Sequence, residues 1–152
     1  ACFPVSPNLP AYPNYNRRTE KAMTKKIEAI IREEALNDVK DALREIGIVG
    51  MNVSEVRGHG RQGGIELAWR GTTYQMDMIP KIQINVVLSD HNMERTIDAI
   101  IKAARTGKEG DGIIFVYPVD DIIRIRTGER GSDALTYPGD IDEQRKKKVA
   151  GR

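Results

Sequence analysis

The sequence predicts an α+β fold: an antiparallel sheet with two helices on one face. Three observations predict it. Apolar and polar residues alternate in segments of strand length. Two longer segments repeat apolar residues every three or four positions instead. The halves of the chain also share one order: KKIEAII, a helix and IVGMNVSEV parallel PKIQINVVL, a helix and GIIFVYPV. The order βαβ-βαβ is the ferredoxin-like pattern.

Lys26 to Arg32 reads as the first strand, with Ile27, Ala29 and Ile31 on its core face. A helix follows on Leu36, Val39, Leu43 and Ile46, and Gly47 stops it. Val49 to Arg57 is the second strand. From Arg57 to Lys81 a long loop is expected, with Gly58, Gly60, Gly63 and Gly64 at its start and the only tryptophan, Trp69, within it. Loops of this length in small domains are usually functional or disordered.

Lys81 to Leu88 is the third strand, and Asp90 is expected to cap the next helix. That helix buries Met93, Ile97, Ile100, Ile101 and Ala104. A GKEGDG turn leads into a strand from Ile113 to Val119. A short last strand, DIIRIRTG, is expected to set Arg124 and Arg126 on one face. The sheet face without helices needs burial, which a homo-oligomer would supply. Residues 1–22 are expected to be a flexible N-terminal extension, and residues 136–152 a polar tail, solvated or briefly helical.

Composition narrows the function classes. A net charge of +2 with both signs mixed gives no case for nucleic acid. Apolar runs are too short for membrane insertion. A single cysteine, Cys2, excludes an internal disulfide framework and fits a reducing, cytoplasmic setting. Cys2, His59 and His91 form no metal-ligand spacing. No nucleophile–histidine pairing suggests covalent catalysis. Three pieces point to an anion instead: GHGRQGG at 58–64, the glycine-rich turn at 107–112, and the guanidinium pair Arg124 and Arg126. The first is not a P-loop, because no GKS or GKT follows.

KKIEAIIR, IGIVGMNVSEVRGHGRQGG, AARTGKEGDG and IFVYPVDDIIRIRTGERG together closely resemble the PII signalling protein family, from about Met23 to Leu135. The resemblance implies a homotrimer with nucleotide sites between subunits. ATP and ADP compete there, and 2-oxoglutarate binds beside Mg-ATP. A T-loop, here about residues 59–78, docks onto an ammonium transporter, a metabolic enzyme or a regulator. Family members are transducers, not dedicated enzymes.

By matching position, the resemblance puts Gly60, Arg61 and Gln62 at the nucleotide and the T-loop base. Gln62 would also hold Mg2+ and 2-oxoglutarate, with Gly64, Lys81 and Arg32 as further 2-oxoglutarate contacts. Gly110, Asp111 and Gly112 would wrap phosphates and ribose. Arg124 and Arg126 would reach phosphates from the neighbouring subunit. Ile30, Asn52, Ser54, Val87 and Thr106 would line the adenine and ribose.

The chain departs from the family pattern in places. Ile113 stands where the family usually has a phosphate-contacting lysine. Losing such a charge-assisted contact removes about 1.5–3 kcal/mol, mostly from the triphosphate. At the loop centre, Trp69-Arg70-Gly71-Thr72-Thr73-Tyr74 replaces the usual uridylylation motif; Tyr74 and Thr72 keep the modifiable positions. These changes keep two alternatives open. One is a PII-like sensor retuned to other effectors, such as adenylates, bicarbonate or another small anion. The lesser one is slow nucleotide hydrolysis.

Overall fold

The computed structural model describes residues 24–60 and 64–151. Its strands are β1 (Thr24–Ile31), β2 (Asn52–Gly58), β3 (Ile65–Trp69), β4 (Thr72–Met76), β5 (Ile79–Ser89) and β6 (Gly112–Val119). Its helices are α1 (Leu36–Glu45), α2 (Met93–Ala104), α3 (Ser132–Leu135) and α4 (Ile141–Ala150). Four strands pair antiparallel in the order β2-β5-β1-β6, the expected ferredoxin-like sheet.

Alternation fixes the register. Ile27 lies opposite Val86 on one side and Val116 on the other; Ala29 lies opposite Ile84 and Ile114. A slip of one residue would turn this whole apolar set away from the core. Val39 and Leu43 of α1 and Ile100 and Ala104 of α2 join the same buried cluster. Both helices therefore cover one sheet face. On the other face Ile113, Phe115 and Tyr117 remain 52%, 40% and 42% exposed, an apolar stripe on an edge strand.

Gly47 ends α1 as expected. Its φ is +93°, its N–H donates to Arg44 O, and Ile48 N–H reaches back to Leu43 O. These are the paired bonds of a Schellman stop. Asp90 does not cap α2. Residues 90–92 form a 3-10 turn, and α2 starts at Met93 with no side-chain cap.

Two expected elements differ further. The stretch 65–76 is a two-stranded hairpin, not an irregular loop. Arg70 and Gly71 form its turn with φ of +48° and +78°, the paired positive values of a type I′ turn. At its end Trp69 is 67% exposed, with the Arg70 guanidinium 5.9 Å from its ring. The segment 121–128 is not a strand. Gly128 and Gly131, both at positive φ, turn the chain back on itself, and a single bridge pairs Ile123 with Arg130. Backbone bonds from Gly128 to Arg124 and from Gly131 to Ile122 close this turn. Arg124 and Arg126 therefore share no strand face.

Beyond Leu135 the chain is helical and docked. Asp140 caps α4 through Asp142 N–H, and Ile141 is buried in the main core. Ile141 N–H donates to Gly47 O at 2.8 Å, so the stop of α1 is also a docking point for α4. The Asp142 carboxylate accepts Ser89 N–H, Ser89 Oγ–H and Asn92 Nδ2–H at 3.1, 2.6 and 2.6 Å. Asp142→Ala is expected to leave these donors unpaired and cost about 1–3 kcal/mol. Urea unfolding checks the loss, and proteolysis should cut α4 first.

Candidate functional site

The end of β1 and the starts of β5 and β6 meet at one corner of the sheet. Ile31 lies opposite Ile82 and Gly112. Residues next to these positions, Arg32 and Lys81, are thereby carried to the turn that precedes β6. The turn is organised around one carboxylate. Asp111 accepts Thr106 N–H at 2.8 Å, Gly107 N–H at 2.9 Å and the Thr106 hydroxyl. It also faces Arg32 Nε at 3.3 Å. The Thr106 hydroxyl, the backbone N–H groups of Thr106 and Gly107, and Arg32 hold the Asp111 carboxyl well below its usual range.

Two cations close over the turn from the sheet side. Arg32 Nη2 donates to Glu109 O at 2.5 Å, and Lys81 Nζ donates to Gly110 O at 2.7 Å. Burial and then the Arg32 charge lower the Lys81 pKa; Glu34 and Asp111 offset part of that. Gly112 is required where the turn enters β6. Its φ is +113°, and a Cβ there would sit 1.8 Å from Ile30 O.

Ile30, Arg32, Lys81, Thr106, Gly110, Asp111, Gly112 and Ile113 thus converge. A groove of about 380 Å3 between α2 and β6 takes in Ile30, Asp111, Gly112 and Ile113. Ile113 stands opposite Ile30 in register on the face without helices.

Asn52 and Val87 lie elsewhere, in a second cavity of about 510 Å3. Val87 is opposite Lys26 and Ile82 is opposite Ile31, so roughly 16 Å of strand separates the two clusters. Ser54 lies between them on β2, opposite Gln83. Gly60 and Gly64 are exposed at the base of the hairpin; Arg61, Gln62 and Gly63 lie outside the described residues. Thr72 is exposed beside the turn, and the Tyr74 backbone pairs with Leu67 in β4.

Arg126 is exposed, but Arg124 is turned into its own chain. Its guanidinium meets Glu129 Oε2 at 2.7 Å and donates to Ala134 O and Thr136 O at 3.0 and 3.2 Å. Sequence reasoning missed two further residues here. Asn85 Nδ2 donates to Asn52 Oδ1 at 3.0 Å, and Tyr137 lines the same cavity. The polar Asn85 at a strand position flanked by apolar residues was the available signal for the first.

The family model for Nitrogen regulatory protein P-II matches residues 24–129. The chain belongs to the P-II family. Nitrogen regulatory protein P-II 1 of Methanothermobacter thermautotrophicus is 54% identical over 111 residues, covering 73% of this chain and 96% of that one. Nitrogen regulatory protein P-II of Azospirillum brasilense is 53% identical over 111 residues, covering 73% and 99%. The solved structure of Arabidopsis thaliana PII bound to citrate aligns with TM-score 0.62 at 39% identity, covering 80% of this chain and 97% of that one. P-II relatives are named as nitrogen regulatory proteins rather than as enzymes. The P-II match ends before α3 and α4. No helix among the described residues is long and apolar enough to cross a membrane.

Proposed function

We propose that this chain is a cytoplasmic signal transducer that reads ATP against ADP, together with 2-oxoglutarate. It acts as a homotrimer and reports through its T-loop hairpin to a target protein of nitrogen or carbon metabolism. The regulatory domain spans residues 23–135, the T-loop about 59–78, with residues 1–22 and 136–152 as additions.

The observation that carries this reading is the pairing of Arg32 and Lys81 over the turn around Asp111. Burial and then the Arg32 guanidinium lower the Lys81 pKa, and the nearby Asp111 is already engaged by Thr106, Gly107 and Arg32. An incoming carboxylate or phosphate would relieve that repulsion. The relative whose structure is described as bound to citrate shows that a family member takes a small carboxylate. Mg2+ would arrive with the ATP phosphates. Gln62 and the phosphates would hold it, as the family resemblance implies.

The exposed stripe of Ile113, Phe115 and Tyr117 supports burial against neighbouring copies. In such a trimer the Asn52–Val87 end of one chain would meet the Arg32–Lys81 end of the next. Gly60, Gly64, Arg61 and Gln62 at the T-loop base, Ser54 on β2 and Arg126 from the neighbour would complete the cleft. The T-loop presents Trp69 at its tip as a partner contact, with Thr72 and Tyr74 available for modification.

Titration calorimetry of 2-oxoglutarate with Mg-ATP and again with Mg-ADP tests the reading, because coupling between ligands defines a sensor. Tight binding with Mg-ATP alone is the expected result. Ile113 removes a charge from the phosphate site, so ADP should compete with ATP unusually well in the same experiment. A second reading, a sensor retuned to other adenylates or small anions such as bicarbonate, is favoured by that same 52% exposed isoleucine. It gains if adenylates bind and 2-oxoglutarate does not.

A further inference from the structure

Arg32 and Lys81 are like charges held opposite one another. β1 and β5 pair with Ile31 opposite Ile82, and the backbone stays extended at Arg32. One step along the two strands, Arg32 therefore stands opposite Lys81. Directly opposed side chains of an antiparallel pair have Cβ atoms about 5 Å apart, and like charges there are unfavourable. Both side chains reach the same turn. Arg32 Nη2 donates to Glu109 O and Lys81 Nζ to Gly110 O, so two consecutive carbonyls hold the cations together. The Arg32 side chain is only 15% exposed and Lys81 is half-buried, so water screens the pair poorly. The acidic groups acting on Lys81 are Glu34, from the 3-10 turn after β1, and Asp111. Asp111 is taken up by Thr106, Gly107 and Arg32.

We propose that Lys81 is a carbamate-forming lysine, which captures carbon dioxide on Nζ beside the Arg32 guanidinium. A lysine desolvated next to a second cation is the arrangement that activates an amine as a nucleophile. Burial and then the Arg32 charge lower the Lys81 pKa, which raises the share of neutral amine. The neutral Nζ attacks the carbon of carbon dioxide and a C–N bond forms. One C=O electron pair moves onto oxygen, and Nζ gives one proton to solvent. Lys–NH2 and CO2 become Lys–NH–COO− and H+. The product turns a repelling pair into an ion pair. Arg32 has five N–H donors, in a fork that matches a carboxylate. Among the described residues, its printed bonds engage only Nε and Nη2. The carbamate nitrogen keeps one N–H for Gly110 O. The new carboxylate would fill the place that the proposed function gives to 2-oxoglutarate. That regulatory consequence rests on the proposed function; the capture itself does not.

Trapping tests the capture. The chain is held in isotope-labelled bicarbonate buffer, which supplies carbon dioxide, and triethyloxonium converts any carbamate to a stable ethyl ester for peptide mass spectrometry. Lys81 is expected to carry about tenfold more ester than the exposed Lys102 and Lys108, because a charge-assisted bond holds its product. Arg32→Gln should cut the Lys81 ester by about tenfold. Lys81→Arg should remove it and leave Lys102 and Lys108 unchanged. An unlabelled Lys81, or equal labelling of all three lysines, overturns the site. Calorimetry of 2-oxoglutarate with Mg-ATP, with and without dissolved carbon dioxide, reads the consequence, and about tenfold weaker binding is expected with it. Weaker binding without any trapped ester means bicarbonate held as an ion, and overturns the carbamate. A trapped ester in a chain that binds no 2-oxoglutarate upholds the capture and overturns the sensor reading instead.

Discussion

Gly112→Ala is expected to destabilise the fold by about 3 kcal/mol or more and to abolish ligand binding at the Arg32–Lys81 corner. The reason is a close approach of two main chains. A Cβ on Gly112 would lie 1.8 Å from Ile30 O, 2.8 Å from Ile30 C and 3.2 Å from Ile31 Cα. All three atoms are backbone, so no rotamer change can relieve the contact. β1 cannot retreat, because it is paired with β5 on its other side. β6 pairs with β1 alone, so β6 must move, and the turn that precedes it moves too. The φ of +113° adds strain of its own, lying outside the left-handed region that an L residue can visit.

Gly128→Ala is the control. Its φ is +71° and nothing lies within 4 Å of an added Cβ, so only about 1 kcal/mol of local strain is expected. Urea midpoints at a constant slope would compare the two. Equal losses would falsify the close approach as the reason for the glycine.

The parts of this fold legible in the sequence are those whose cause is local. Ile27, Ala29 and Ile31 face a buried layer on every second position, so their alternation gives both the strand and its face. Gly47 marks a stop because a left-handed residue is needed there. The hairpin was obscured by the glycines before it, yet its cue was present: Arg70-Gly71 stands between residues prone to strand. IIRIR carries a strand period, but Gly128 and Gly131 close it into a turn, and Ile125 is left wholly exposed. Long-range ties were not legible. Asp142 meets Ser89 across 53 positions, and Arg124 selects carbonyls of a segment whose sequence announces nothing about it. At the site, the resemblance supplied Arg32, Lys81 and Asp111 as residues. It gave no sign that the cations rest on the loop carbonyls of Glu109 and Gly110.

Asp111→Asn is expected to open the turn and weaken ATP by an order of magnitude or more, because charge-assisted bonds to a carboxylate are the strong ones. Every group directed at Asp111 is a donor: Thr106 N–H, the Thr106 hydroxyl, Gly107 N–H and Arg32 Nε. An asparagine keeps one acceptor oxygen and turns an NH2 toward the rest, so donor faces donor on one side. Arg32 also loses its carboxylate and stands beside Lys81 with less to offset it. The pKa direction sets the pH dependence. The folded value lies below the ordinary carboxylate value, so the turn holds fully above that ordinary value and loosens as pH falls through the folded one. In the unsubstituted chain the Thr106 and Gly107 amides should therefore stay protected from hydrogen exchange at pH 5. In Asp111→Asn they should exchange freely at that pH. If those amides lose protection while ATP binds unchanged, the turn is not preorganised for the nucleotide, and Arg32 and Lys81 carry the anion without it.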